Sequence, residues 1–231
     1  MNTLQTLDRG LSALEIIARR RDGISIADLS EELGIHRAVT YRVVATLEAH
    51  GLATRGGTGA IRLGAGVMAL AGRFRPQLRA IARPFLAKLA ARTGATAFLS
   101  VAEGEDCVVI LVEEPEAGVL RVGYRTGSRH PLSRGAAGIA ILSGRPPRQD
   151  DPQAILRARA DGYSVTRGQI QQGAMGVASP LRDMTGAAPR LEAAIGVVTI
   201  GDLHVAPAAE AVKAGAAELS DLLLDAPRGG G

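Results

Sequence analysis

The chain has 231 residues, 46% hydrophobic and 22% charged, enough for one large domain or two unequal ones with a buried core. A formal charge of +4 permits a polyanion partner without demanding one. Cys107 stands alone, which excludes an intrachain disulfide and a cysteine-based zinc cluster; with no signal-peptide pattern and no long uncharged run, a cytoplasmic protein without a membrane partner is expected.

Leu4, Leu7, Leu11, Leu14 and Ile17 recur at three and four, which predicts a first amphipathic helix to about Arg20 that packs on the helices after it. Arg19, Arg20 and Arg21 close it where cations complement the helix dipole. Ser25 with Asp28 reads as a capping box, the hydroxyl accepting from an orphan amide and the carboxylate reaching back to the N–H of the cap. Ile26, Leu29 and Leu33 share one stripe, and Gly34 ends this second helix.

Over residues 37–50, Thr40, Val43, Val44 and Leu47 lie within a narrow arc and face the preceding helix. The opposite arc carries Ala38, Arg42 and Ala45, flanked by Arg37, Val39, Tyr41 and Thr46: small residues for close approach, guanidiniums for phosphate or guanine, and hydroxyls for backbone oxygens. Residues 52–55, a Gly-rich turn and residues 60–63 read as a hairpin with Arg55 and Arg62 near its tip, set to lie on phosphate. From residue 35 to 64 four arginines face only Glu48, so positive charge concentrates here. A helix that reads and a wing that grips make a winged helix-turn-helix.

Gly64 and Gly66 lead into a short apolar helix over 65–75, a linker that Pro76 punctuates. From Gln77 to Thr93 the helical period returns, with a kink expected at Pro84. The period then drops to two, and residues 96–102, 107–112 and 119–124 read as antiparallel strands, with Cys107 a buried strand thiol. After Asp202 a C-terminal helix carries Val212, Ala216, Leu219 and Leu222, and residues 227–231 form a disordered tail. The fold class is α+β: a winged helix-turn-helix over 1–64, a linker helix over 65–75 and a second domain over 76–226.

No nucleophile elbow, phosphate loop or zinc motif appears. The histidines His36, His50, His130 and His204 are scattered, and Glu113 and Glu114, adjacent on a strand, point to opposite sides. His130 reads as a polar loop residue. No catalytic residue, metal site or cofactor is expected.

The run HRAVTYRVVATLEAHGLATR with the wing end IRLG resembles the IclR-type transcriptional regulators, whose recognition helix is close to Lys-Ser-Thr-Val-Tyr-Arg-Leu-Leu and whose wing ends in Tyr-Arg-Leu-Gly. From Leu78 to about Thr199 the chain is similar to that family's GAF-like effector domain: RHPLSRGAAGIA stands for RLPLHATAxGKA, followed by RARADGYSVTRGQ and GVASPLRD. About twenty residues usual between these words are replaced by the loop GRPPRQDDP.

The resemblance implies a repressor or dual regulator acting as a homodimer, or a tetramer of two dimers, on a pseudo-palindromic double-stranded DNA operator. Ser25, Arg37, Ala38, Val39, Tyr41, Arg42, Thr46, Arg55 and Arg62 would meet DNA, and the first helix would take part in dimer contacts. A small-molecule effector, an organic or aromatic acid, would sit against the loop at 133–138, near Ser133, Arg134, Gly135, Ala136, Thr166, Gly176, Gly196 and Val198. The amides of Gly135 and Ala136 suit a carboxylate.

Several family positions differ: an aspartate is Thr166, a cysteine is Gly176, and two serines are Gly196 and Val198. Either the effector is more apolar or the pocket is degenerate; Arg129 and Arg134 are equally anion partners or surface arginines. The competing expectation is a ligand-binding or protein-interaction module that keeps a winged helix without a specific operator.

Overall fold

A computed structural model of the chain describes residues 3–57, 59–115, 124–181 and 191–225. It forms two compact units, Met1–Pro76 and Gln77–Gly231.

In the first unit α1 (Gln5–Ala18), α2 (Ile26–Leu33) and α3 (Arg37–Ala49) enclose a core with β1 (Ala53–Arg55) and β2 (Ile61–Leu63), followed by α4 (Gly66–Gly72). Ala13, Ile17, Leu29, Val44 and Ile61 are its best buried members. The predicted stripe of α1 joins them only at its C-terminal end: Ile17 is buried and Leu14 packs against the core, with Ala13 and Ile16 beside them, whereas Leu4, Leu7 and Leu11 are 76%, 60% and 54% exposed.

Ser25 caps α2 as its type predicts, with a different second bond. Its Oγ accepts from the Asp28 amide at 3.1 Å and donates to Asp28 Oδ2 at 2.8 Å, so the carboxylate meets the hydroxyl rather than the N–H of the cap. Gly34 ends the helix at φ 62°, ψ 33°, the left-handed conformation that glycine adopts without a Cβ penalty.

β1 and β2 pair antiparallel, and β2 gains a second partner that the sequence did not announce: Ile24 and Ile61 exchange both backbone hydrogen bonds, at 2.9 and 2.8 Å. Gly23 makes this possible. At φ 85° it lies so close to β2 that a Cβ would stand 2.8 Å from the Ile61 carbonyl oxygen.

The second unit contains α5 (Pro76–Thr93), β3 (Thr96–Glu103), β4 (Asp106–Glu113), β5 (Arg129–Pro131), α6 (Gly135–Ser143), α7 (Gln153–Asp161), β6 (Ser164–Arg167), β7 (Ala174–Pro180), β8 (Ala193–Ile200) and α8 (Val205–Asp225). Pro76 opens α5 rather than merely interrupting the chain, since a proline at the first helical position gives up no hydrogen bond. Pro84 lies inside the same helix. The strands form one antiparallel sheet in the order β5-β4-β3-β8-β7-β6. Of the strand expected at 119–124, residues 119–123 fall outside the described residues and Tyr124 is in no strand; the tail at 227–231 also falls outside them.

Alternation along β3 divides the core. Ala97, Leu99 and Val101 pack with α5 and α8, whereas Phe98 turns the other way, toward Cys107, Val109 and the small residues of α6. On that second face Ala136, Ala137 and Ala140 let α6 approach closely, and Gly138 is required: a Cβ there would lie 2.3 Å from the Leu132 carbonyl oxygen. Among the described residues no helix is long and apolar enough to cross a membrane.

Candidate DNA-reading face and ligand cavity

In α3 the buried stripe is Thr40, Val43, Val44 and Leu47. The opposite side presents Arg37, Ala38, Tyr41, Arg42, Ala45 and Thr46 to solvent, with Val39 half-buried at its edge. The side chains of Arg37 and Arg42 make no hydrogen bond or ion pair among the described residues, so two unneutralised guanidiniums stand on an exposed helix about one and a half turns apart. The Thr46 hydroxyl donates to the Arg42 carbonyl at 2.9 Å and is less available than its position suggests.

The wing arginines are not free. Arg55 pairs with Glu48 of α3, and its guanidinium lies 5.7 Å from the centroid of the half-exposed Tyr41 ring. Arg62 turns back to the α1–α2 connection, donating from Nε and Nη2 to the Asp22 carbonyl at 3.3 and 3.1 Å. Ser25, also exposed, commits its hydroxyl to the α2 cap.

The second unit holds a cavity of about 500 Å³ between the sheet and α6, roofed by the β6–β7 turn. Of the residues expected around an effector, Gly135, Ala136, Thr166, Gly176 and Val198 line it. Ser133, Arg134 and Gly196 do not. Ser133 and Arg134 face solvent, and Arg134 donates to the Gln169 carbonyl. Gly196 faces Phe98, and a Cβ there would lie 2.6 Å from the ring's Cζ.

Four further residues stand in the walls. Phe98 and Tyr124 meet edge to face with centroids 5.0 Å apart; His130 lies beside them, with Tyr124 Oη 3.2 Å from its Nε2; Gln169 spans from the turn to α6. His130 is 7% exposed, in β5 and opposite Cys107, not in a loop. A three-residue strand is too short to show a period. The signal that marks His130 is its departure from the family word, RHPL against RLPL.

The first amide of α6 is not vacant: Gly135 N–H donates to Gln169 Oε1 at 2.8 Å, which satisfies one of the orphan donors of the helix terminus from within. Burial pushes the Cys107 thiol up to about 12 and raises the Tyr124 phenol, so both are protonated at neutral pH. Arg129, at the cavity edge, is ion-paired with Glu103 and with Asp106 (3.4 Å).

Residues 6–57 match the IclR helix-turn-helix domain, and residues 74–157 match the C-terminal domain of the bacterial transcriptional regulator IclR. The chain belongs to the IclR family. Its relatives include the HTH-type transcriptional regulator BhcR of Paracoccus denitrificans, 27% identical over a gapped alignment of 253 positions that spans 94% of this chain and 86% of that one. The acetate operon repressor of Salmonella typhimurium is 28% identical over 144 residues, 61% of this chain and 53% of the other.

Two solved IclR-family structures share the fold. An IclR homologue from Microbacterium hydrocarbonoxydans, complexed with 4-hydroxybenzoate, gives a TM-score of 0.78 at 22% identity and covers 96% of this chain and all of its own. A regulator from Alicyclobacillus acidocaldarius gives 0.73 at 20% identity, over 95% and 99%. IclR-family proteins are DNA-binding transcription regulators and not enzymes, and the α+β architecture of this chain is theirs.

Proposed function

We propose that this IclR-family regulator is a cytoplasmic repressor or dual regulator that binds a pseudo-palindromic operator as a homodimer, its affinity set by a small organic or aromatic acid held in the second unit. In this reading residues 1–64 read DNA, 65–75 link, and 76–226 sense. One helix reads only a few base pairs, so two copies on successive major grooves supply the specificity.

The observation that carries the DNA role is the unpaired Arg37 and Arg42 on the exposed face of α3. Arg42 is the base-reading candidate and Arg37 the phosphate contact. Ala38 and Ala45 permit close approach, with Val39, Tyr41 and Thr46 at the flanks. The exposed Leu4, Leu7 and Leu11 support α1 as a dimer surface, since a row of leucines in water favours a second apolar partner. For the effector, the support is a cavity with an apolar floor of Phe98, Ala136 and Val198 and a few convergent polar groups. The structural neighbour with bound 4-hydroxybenzoate makes an aromatic acid the first ligand to try.

Footprinting on DNA from upstream of the protein's own and adjacent genes, with competitor DNA present, tests the reading. The wild type is expected to protect two half-sites. Arg42→Ala should lose roughly 1–3 kcal/mol of specific affinity. Unchanged operator preference in that variant removes Arg42 from the reading role.

A further inference from the structure

One pair of polar groups in the cavity wall has no part in the reading above. His130 Nδ1 lies 3.0 Å from the Pro131 carbonyl oxygen, and His130 Nε2 lies 3.2 Å from the Tyr124 hydroxyl. A carbonyl oxygen only accepts, so the hydrogen-bond network assigns the ring proton to Nδ1. In the neutral ring Nε2 is then a bare acceptor, and the Tyr124 hydroxyl donates to it. The phenolic proton is turned away from the cavity, which meets only oxygen lone pairs.

Protonation of His130 reverses the bond. Nε2–H donates to the phenolic oxygen, and the Tyr124 O–H is released to point into the cavity. The relay therefore has two states, one presenting an acceptor to a ligand and one presenting a donor backed by a positive charge.

The surroundings decide which ligand would select the second state. Across β4, Cys107 faces His130 as a neutral thiol, and Asp106, opposite Pro131, is engaged with Arg129. Next to His130 on β5, Arg129 is held by Glu103 and Asp106. From β3 come Phe98 and the buried Ser100, whose hydroxyl lies by the Tyr124 and Cys107 side chains, from α6 Gly135 and Ala136, and from the β6–β7 turn Gln169 and Ile170, none of which titrates. The first amide of α6 is taken by Gln169. A carboxylate entering this cavity meets no uncommitted cation unless His130 becomes one.

We propose that Tyr124 and His130 form a proton-coupled anchor: the ligand's carboxylate accepts from the Tyr124 hydroxyl while His130 takes up one proton from solvent at Nε2. This rests on the reading of the cavity as a small-acid site. It moves the acid-binding role from the family's polar positions, which are Thr166, Gly176, Gly196 and Val198 here, to β5 and residue 124.

The test is calorimetric titration of the full-length protein with benzoate and with benzamide, its uncharged counterpart, from pH 6 to 8 in buffers of different ionisation enthalpy. Benzoate stays ionised throughout. Its affinity is expected to be higher at pH 6 than at pH 8, approaching about tenfold per pH unit where coupling is complete, with up to one proton taken up per ligand. Benzamide should show neither effect. Tyr124→Phe should abolish the pH dependence and the proton uptake for benzoate while benzamide still binds, which shows that the variant's cavity is intact.

Benzoate binding equally at both pH values without proton uptake overturns the anchor and leaves the acid-sensor reading standing. Binding of benzamide alone, or of neither compound, overturns both. A ligand-free check is independent of these: long-range proton–nitrogen spectra of the histidines, assigned with His130→Gln, should show the Nδ1–H tautomer for His130 at pH 8, and the Nε2–H tautomer there overturns the anchor.

Discussion

Arg55 of the wing grips Glu48 of the recognition helix with two hydrogen bonds, Nε to Oε1 at 3.2 Å and Nη2 to Oε2 at 3.3 Å. The side chains are 35% and 29% exposed, so as a stability element the pair is worth about 1 kcal/mol or less. Its larger effect is on charge, because it silences one of the four arginines that face Glu48 alone between residues 35 and 64. Glu48→Gln should release that guanidinium at the junction of helix and wing. Non-specific DNA affinity is expected to rise, and the slope of log affinity against log salt to steepen by about one. Fluorescence anisotropy across a salt series reads both, and an unchanged slope places Arg55 away from phosphate.

Two glycines of opposite character test the packing account. Gly196 lies between β3 and β7, where a Cβ would be 2.4 Å from the Val177 carbonyl oxygen and 2.6 Å from Phe98 Cζ. Gly196→Ala should cost roughly 1–3 kcal/mol by overpacking. Gly10, within α1, has nothing within 4 Å of the same position, and Gly10→Ala should stabilise the helix by roughly 0.5–1 kcal/mol. Thermal unfolding of both variants distinguishes steric demand from conformational preference; a Gly196→Ala protein as stable as wild type refutes the contact.

Cys107 is fully buried, and burial pushes its thiol up to about 12. At pH 8 the thiolate is on the order of one part in ten thousand, and it has no path to solvent. The native protein should leave a chromogenic disulfide reagent unreacted over the time in which the denatured protein consumes one equivalent. Rapid labelling of the folded chain would contradict the closed β4 core.

Asp151 accepts from the Arg148 amide at 3.0 Å and pairs with Arg159 at 2.9 Å, and these donors hold its carboxyl below the ordinary value. A carboxyl depressed by folding adds stability above its unfolded pKa and loses that contribution as pH falls through its folded value. Asp151→Asn should therefore melt at a lower temperature than wild type at pH 7, with the gap closing below about pH 3. A gap that persists into acid would point to shape rather than charge.

How much of this was legible depended on the reach of each signal. The helix-turn-helix could be read because its evidence is local: a cap at Ser25 and a stop at Gly34 for α2, and for α3 the stripe of Thr40, Val43, Val44 and Leu47 at helical spacing. The α1 stripe was equally periodic and held for Leu14 and Ile17 but not for Leu4, Leu7 and Leu11, because periodicity reports that a helix has an apolar side and not what covers it. The wing arginines were visible as charges, but their partners Glu48 and Asp22 lie across turns. The cavity was least accessible, since Phe98, Tyr124, His130, Gln169 and Val198 are brought together by strand pairing and by side-chain contacts across loops, and His130 owes its burial to a register with Cys107 that no window of sequence contains.

The bond pair between Ile24 and Ile61, backed by Arg62 on the Asp22 carbonyl, ties the wing to the connection in front of α2 as well as to its own hairpin partner. Recognition helix, turn and wing are thereby one stiff piece, with little freedom for the wing to swing against α3. A chemical signal that arrives at such a piece can re-aim it but not reshape it. For the dimer proposed above, a bound ligand should then change the operator's tolerance for base pairs inserted between half-sites rather than its preferred bases.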